Sequence, residues 1–431
     1  MHSIGVPKED KNLFENRTAV IPAVTAQLVK NGIPVFVQRS ARRAFIEKNY
    51  SDAGAMLVDN LDKAGLIVGV KEPNINTVDG KIYMIFSHTI KGQTYNMPLL
   101  QQFLDTGATL IDYELITDSH GNRLVAFGRF AGIAGMNDTL WTLGQKLNAG
   151  GIPNPFSRFM PAFMHANLTD LFSHLKRLGK MIAGQTIPGI TGPFIIGIAG
   201  YGRTGRGSQE TLNALGAIQV KPEELDNVKG PGIFYTMFEE HHMVNRKDGG
   251  FDLQEYYAHP ELYHSIFEKY LPKLTVLMNC IYWNPKYPRL ITRDFIRHAS
   301  IAPDFLLKVI GDTSCDPQGG CEITDHCTDP GNPAFTYIPE DDAFANAIIS
   351  DGITIFAVDN LPAEVAIDSS IAFSTTLQPY LLTAATTDFD RTFRNLDLPP
   401  ELKRAIIVLH GELTPAFKYL KTFLEKENTL F

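Results

Sequence analysis

Several things are scarce in this sequence. Four cysteines among 431 residues exclude a disulfide-stapled scaffold, which is short and cysteine-dense. No apolar run approaches the roughly 18 residues a membrane span requires. The best stretch, residues 193–199 (PFIIGIA), is short and bounded by glycine. Positive charge is not in excess: 39 Lys and Arg against 47 Asp and Glu give a net charge of −8. That excludes charge-driven binding of nucleic acid, which needs a basic surface. The first residues, MHSIGVPKED, carry neither an apolar signal core nor an Arg- and Ser-rich transit pattern. A reduced, cytoplasmic protein without a membrane partner is the expectation. No internal repeat or low-complexity tract is present.

What is there is an ordinary globular composition, 44% hydrophobic and 20% charged. At roughly 150 residues per domain it implies two or three domains. Short apolar runs at 3–6, 34–38, 66–70, 82–86 and 109–112 read as strands, with a helical pattern over 18–31. Strands and helices at this spacing imply βαβ units and a parallel sheet. Gly- and Pro-rich turns at 148–155 and 187–193 punctuate the middle, with a helical pattern over 160–181 between them. A second series of strands starts at 194 and continues at 217–220, 233–238, 275–281, 306–310 and 353–358. Residues 402–409 and 413–424 read as helices. The expected fold is α/β: two Rossmann-like lobes with parallel sheets and an interlobe cleft, where such folds bind ligands. The first lobe is residues 1–135, rejoined by about 361–431; the second is 136–360.

The clearest motif opens the second lobe. An apolar strand runs into Gly200-Tyr201-Gly202-Arg203-Thr204-Gly205, and a helical segment follows. Gly200 permits the tight turn, Gly202 lets backbone approach a pyrophosphate, and Gly205 allows helix to pack on strand. The helix N-terminus then faces the phosphates. An acidic residue about twenty positions on would bind the ribose diol, but the stretch 217–222 (AIQVKP) holds no carboxylate. Lys221 and Arg203 could instead meet a 2′-phosphate. NADP(H) is therefore favoured, with NAD(H) the alternative.

The first lobe places charged residues at strand ends. Lys71 closes one strand in GVKEP, His88 another in FSHTIKGQ, and Glu114 follows LIDYE. A Lys, a His and a Glu converging at a sheet rim can form a proton-transfer set. Arg17 and Arg123 suit bidentate carboxylate binding. Lys91 lies three residues after His88. Each residue alone has a plainer reading, since strand-end lysines are usually solvated and single histidines structural.

Taken together these segments resemble the lysine–ketoglutarate reductase family, the saccharopine-forming half of bifunctional aminoadipic semialdehyde synthases. More distantly they are similar to fungal lysine-forming saccharopine dehydrogenase, alanine dehydrogenase and the transhydrogenase nucleotide-binding lobes. The carrying motifs are PKEDKNLFENRTAVIP, GVKEP, FSHTIKGQTYNMPLL, LIDYELI, RLVAFGRFAGIAGM, NCIYWNPKYPRL, GDTSCDPQGGCEIT and AVDNLPAE. The resemblance implies condensation of L-lysine with 2-oxoglutarate and reduction of the imine by NAD(P)H to saccharopine, or the reverse. By resemblance Lys71 and His88 match the catalytic pair, and Glu114 a carboxylate that tunes nearby cations. Arg17, Lys91 and Asp359 match substrate-site residues. Asp312 and Ser314 lie on the nicotinamide side.

The sequence also departs from the family. The triplet Ala366-Ile367-Asp368 stands where the family usually has Pro-Arg-Glu, and Arg203 stands where an Asn is usual. Because the sequence ends at Phe431, only the saccharopine-forming step is expected. Two alternatives remain: another amino-acid or opine-type dehydrogenase on the same scaffold, or a non-catalytic nucleotide-sensing paralogue. The partners expected are small molecules, and a homo-oligomer is compatible. Cys315, Cys321 and Cys327 are each six apart, too far for the usual zinc spacing of two to four, so no metal is expected. Glu239-Glu240-His241-His242 reads as a solvated turn, or as lining of the cofactor site.

Overall fold

The computed structural model describes residues 1–427. It divides into two compact units, Met1–Phe127 with the segment from Ala366 onward, and Gly128–Val365. The boundary expected at 135/136 falls inside a continuous helix, Gly128–Ala149, which is buried along most of its length. The chain therefore changes unit at the start of that helix.

The first unit is built on an eight-stranded sheet. Its strands are β1 (Ile4–Val6), β2 (Val35–Gln38), β3 (Met56–Val58), β4 (Leu66–Val68), β5 (Ile82–Ile85) and β6 (Thr109–Asp112), with β17 (Ile406–Leu409) and β18 (Glu412–Leu413). The order is β18-β17-β6-β5-β4-β1-β2-β3. β1 to β6 are mutually parallel, and β17 runs antiparallel to β6. Burial on both faces explains why β1, β4 and β5 are apolar throughout.

The helix expected over 18–31 is Pro22–Lys30. Pro22 presets φ for the first turn and holds Ile21 extended, at ψ 162°, as a residue before proline must be. The helix expected over 402–409 is a correction: its second half is the strand β17, buried at every position. An unbroken Ile-Ile-Val run has no polar residue to reveal its period. Residues 413–424 form the short strand β18, a 3-10 turn Pro415–Leu420 and the start of the helix Lys421–Glu427. The helix expected from 160 begins at Leu168, where the Asn167 side chain accepts from the Asp170 N–H at 3.0 Å.

The second unit has its own eight-stranded sheet. Its strands are β7 (Phe194–Ala199), β8 (Ile218–Gln219), β9 (Ile233–Phe238), β12 (Val276–Asn279), β13 (Val309–Asp312), β14 (Ala334–Ile338), β15 (Ala343–Ala345) and β16 (Ile353–Phe356). A separate ribbon pairs β10 (Val244–Arg246) with β11 (Tyr263–Ser265). The sheet order is β15-β14-β16-β13-β12-β7-β9-β8. All are parallel from β16 to β8; β14 and β15 are antiparallel. Among the described residues, no helix is long and apolar enough to cross a membrane.

Candidate functional site

Each sheet reverses its winding direction at one strand, β1 in the first unit and β7 in the second. In doubly wound sheets the crevice at the carboxyl ends of such strands binds ligands.

In the first unit the segments leaving β1, β4, β5 and β6 bring most of the expected residues to one edge. Lys71 follows β4, His88 follows β5, Glu114 follows β6, and Arg17 lies in the segment after β1. Glu9 accepts from the backbone N–H groups of Val70 (2.7 Å) and Lys71 (3.1 Å), so the β1 segment fixes the path on which Lys71 sits. Burial and the Glu15 charge push the Glu9 carboxyl up to about 7, against those two hydrogen bonds and the Arg17 charge.

Glu72 is the residue the sequence reading passed over. Its Oε1 lies 2.6 Å from His88 Nδ1 and its Oε2 accepts from Lys11 Nζ at 2.7 Å. Burial pushes this carboxyl up, but the bonds and charges of His88 and Lys11 prevail and hold it at about 2. Glu72 is therefore an anion at neutral pH, and a neutral His88 carries its proton on Nδ1, facing that anion. Nε2 is left as an acceptor, which is the protonation a general base needs; after protonation the same nitrogen is an acid. His88 is a non-glycine residue at φ +52°, a conformation costing on the order of 1–3 kcal/mol that persists only where the surroundings impose it. Here the Asn96 side chain bonds its carbonyl at 2.9 Å.

Asp112 ties the β5 and β6 segments together, accepting from Ser87 N–H (3.0 Å) and from the Ser87 hydroxyl through one oxygen, and from Glu114 N–H (2.7 Å) through the other. Burial raises its carboxyl to about 6. Glu114 itself is paired with Arg123 at 2.8 Å. Arg17 is buried and bidentate to Glu15, at 2.8 and 2.6 Å, with its guanidinium 4.2 Å over the Phe127 ring. Both arginines expected to hold substrate carboxylates thus already hold carboxylates of the chain. Lys91 is exposed on the loop after His88. A cavity of about 400 Å³ in this unit includes Lys8, Asp10, Lys71, Glu72 and Asn74 in its lining, within the usual size for a small-molecule site.

In the second unit the glycine loop has the geometry its spacing predicts. Gly200 sits at φ +96°. A Cβ on Gly205 would lie 2.1 Å from the Gly200 carbonyl oxygen, whereas one on Gly202 would meet nothing within 4 Å. The helix Arg203–Leu215 starts there with Gly202 as its N-cap. Backbone crowds the first and third glycines and leaves open space at the second, above a helix N-terminus; this fits a pyrophosphate. Thr204 lies in the first turn, where its carbonyl abuts Gly132 of the Gly128–Ala149 helix: a Cβ there would come within 1.9 Å.

Asp312 is buried and accepts from Asn279 (2.9 Å), Thr324 (2.6 Å) and the Ser314 hydroxyl (2.7 Å). It joins the ends of β12 and β13 and aims Ser314. Asp359 is exposed just beyond β16, with its N–H bonded to Thr328 at 3.2 Å.

Lys221 requires a correction. The strand that follows the glycine helix, β8, lies at the sheet edge, and β9 lies between it and β7. The stretch 217–222 is therefore not the end of the strand beside the glycine loop. That place belongs to Phe238, whose carbonyl accepts from Gly200 N–H at 3.0 Å, and the next residue is Glu239. The part of the NADP(H) expectation that rests on Lys221 falls with this register, while Arg203 stays at the start of the glycine helix.

Residues 5–134 match the alanine dehydrogenase/PNT N-terminal domain family, and residues 172–416 the alanine dehydrogenase/PNT C-terminal domain family. The chain is 34% identical to alpha-aminoadipic semialdehyde synthase of Arabidopsis thaliana, covering 97% of this chain and 41% of that protein. The mitochondrial protein of that name from Mus musculus is 32% identical, with 98% and 48% covered. The chain thus spans less than half the length of these relatives. Saccharopine dehydrogenase [NAD(+), L-lysine-forming] of Neurospora crassa is 30% identical, with 87% of this chain and 89% of that protein covered. Among solved structures, an L-alanine dehydrogenase superposes with TM-score 0.64 at 18% identity, covering 98% of this chain and 99% of that one.

Proposed function

We propose, from the premise that this chain belongs to the alanine dehydrogenase/PNT family, that it is a nicotinamide-dependent oxidoreductase joining lysine to 2-oxoglutarate. The product is saccharopine, and the same site runs the reverse reaction. The observation that carries this reading is the Glu72–His88 pair beside Lys71, at the ends of two neighbouring parallel strands. The names of the Arabidopsis, mouse and Neurospora relatives support the choice of lysine chemistry.

The dinucleotide, held by Gly200, Gly202, Gly205 and the first turn at Arg203 and Thr204, supplies the hydride when bound. The remaining steps are proton transfers. Lysine must lose a proton from its ε-ammonium before its nitrogen attacks the 2-oxo carbon. Neutral His88, with Nε2 as acceptor, takes it. The carbinolamine then loses water, and protonated His88 gives the departing hydroxyl its proton. Reduction leaves a secondary amine that takes up a proton, for which Lys71 is the second group at the rim. Glu72 keeps His88 in one tautomer and stabilises its cation; it is a positioning residue. Lys91 and Asp359 are assigned to the substrate, and Asp312 orients Ser314 on the cofactor side.

The test is oxidation of reduced nicotinamide, followed by its near-ultraviolet absorbance, with lysine and 2-oxoglutarate supplied singly and together. Oxidation should require both substrates and fall roughly a hundredfold or more in His88→Ala. Absence of oxidation with either reduced cofactor would overturn the reading. A second reading, another amino-acid or opine-type dehydrogenase, is motivated by Ile367, where an arginine is usual. A faster rate with a different amine and 2-oxo acid would select it.

A further inference from the structure

The strand order of the second unit places a carboxylate where the sequence reading found none. We propose that Glu239 receives the adenosine ribose of the dinucleotide and selects NAD(H) over NADP(H). This rests on the dinucleotide reading above and goes beyond it.

The placement comes from register. β9 pairs with β7 along its whole length, Phe194 opposite Ile233 through to Ala199 opposite Phe238. Glu239 therefore leaves the sheet level with Gly200, the first glycine of the loop. A carboxylate at the end of the strand beside the glycine strand can accept from both hydroxyls of a ribose diol. The same carboxylate repels a 2′-phosphate, which carries between one and two negative charges at neutral pH.

The neighbours reinforce this. Glu240 accepts from the Tyr257 hydroxyl at 2.6 Å and is also bonded by Tyr201, which stands between the first two glycines. That contact fastens the loop to the end of β9 and adds a second negative charge. Glu239 keeps a carboxylate that is 55% exposed, with the His241 ring 3.7 Å away. Of the cations that could answer a 2′-phosphate, Arg203 opens the glycine helix, whereas Lys221 and His242 are poorly placed. Lys221 is at the outer edge, two strands from β7, with its backbone N–H bonded to Glu224. His242 accepts from the Glu239 N–H through Nδ1 and faces Glu223 through Nε2, each at 3.0 Å. Burial, followed by the neighbouring His241, lowers its pKa further from neutrality. It is an uncharged, occupied ring at pH 7.

The experiment is direct binding of NADH and of NADPH to the full chain, by calorimetry, in wild type, Glu239→Ser, Glu239→Gln and Lys221→Ala. Wild type should bind NADH about tenfold or more tightly than NADPH, the scale of one like-charge contact open to water. Both Glu239 variants should reduce that ratio by about tenfold, and Lys221→Ala should leave it unchanged. Because Glu239 and Lys221 are exposed, melting temperatures should match wild type. Tighter NADPH binding by wild type, or an unchanged ratio in both Glu239 variants, would overturn the assignment while leaving the dinucleotide site standing. Binding of neither cofactor would remove that site and this inference with it.

Discussion

The two sheets are wound on the same plan with one exchange. In the first the parallel strands run β3-β2-β1-β4-β5-β6, each outward step taken in chain order; in the second they run β8-β9-β7-β12-β13-β16. The strand after the glycine helix goes to the edge, and a later strand fills the place beside β7. Counting residues to a second strand measures distance along the chain, whereas a bound ribose meets distance across the sheet. The sites differ in material as well. The first is made of charges held by other charges, Glu72 with His88 and Lys11, Arg17 with Glu15. The second is made of missing side chains, Gly200, Gly202 and Gly205, backed by Gly132 and Gly207. One should fail by losing a proton partner and the other by gaining a methyl group.

The largest expected effect breaks the second site. Gly205→Ala puts a Cβ 2.1 Å from a backbone oxygen, and Gly207→Ala puts one 2.0 Å from the Arg129 carbonyl oxygen. Neither contact can be relieved by turning a side chain, so about 1–3 kcal/mol of stability should go and dinucleotide binding with it. Gly202→Ala is the paired variant. Its Cβ meets nothing within 4 Å, so its melting temperature should match wild type. Dinucleotide binding should still weaken, because the methyl group occupies the space a pyrophosphate needs. If Gly202→Ala bound dinucleotide normally, the open space would not be the phosphate site.

The next effect sharpens the comparison through pH. In the first unit Glu72 is held at about 2, below its usual 4.5. The unfolded chain binds the extra proton between those values, so this contribution to stability is full above about 4.5 and is lost as pH falls toward 2. In the second unit Glu364 and Asp138 are buried and share a hydrogen bond; burial raises both, and the two charges repel. The folded pair retains a proton that the unfolded chain releases above the ordinary carboxylate range. Stability from this pair should therefore fall as pH rises, by about 1.4 kcal/mol per unit for one proton. Glu364→Gln removes that proton uptake and keeps a donor for Asp138. Denaturant melts should show Glu364→Gln gaining on wild type from pH 5 to pH 8. Glu72→Gln should lose to wild type at pH 6 and converge with it near pH 2. Parallel pH profiles for the two variants would contradict the opposite signs assigned to these carboxylates.

The strand–glycine–helix motif was legible because every part of it lies within about twenty consecutive residues. Lys71, His88 and Glu114 were legible as strand ends for the same reason. What needed the fold were partners set by neighbouring strands. Glu72 and His88 are 16 apart in sequence, and only the pairing of β4 with β5 makes them one unit; the acidic residue after Lys71 in GVKEP was the available signal. Glu239 was visible as part of an acidic turn, but its meaning depended on β9 displacing β8. The helix expected at 402–409 failed on a different ground: buried Ile-Ile-Val satisfies either period. Arg17 illustrates competition, since a residue suited to a substrate carboxylate is equally suited to Glu15 two positions away.

The smallest expected effect separates the two arginines. Arg17 is buried with its carboxylate; the Arg123 side chain is 50% exposed, and its partner Glu114 is at 2.8 Å. An ion pair open to water on one side contributes about 0–1 kcal/mol, because solvent screens the attraction and ordering two long side chains costs entropy. Arg123→Met should therefore move the unfolding free energy by less than about 1 kcal/mol, and less still at high salt. Its effect on turnover depends on what Glu114 does once released. If Arg123 serves only to hold Glu114, the conservative Arg123→Lys should restore the wild-type pH–rate profile with unchanged KM for both substrates. If its guanidinium also binds a substrate carboxylate, Arg123→Lys should leave KM raised, because an ammonium cannot reproduce a two-pronged contact. The split between KM and the pH profile assigns Arg123 either to the proton set of the first unit or to its substrate.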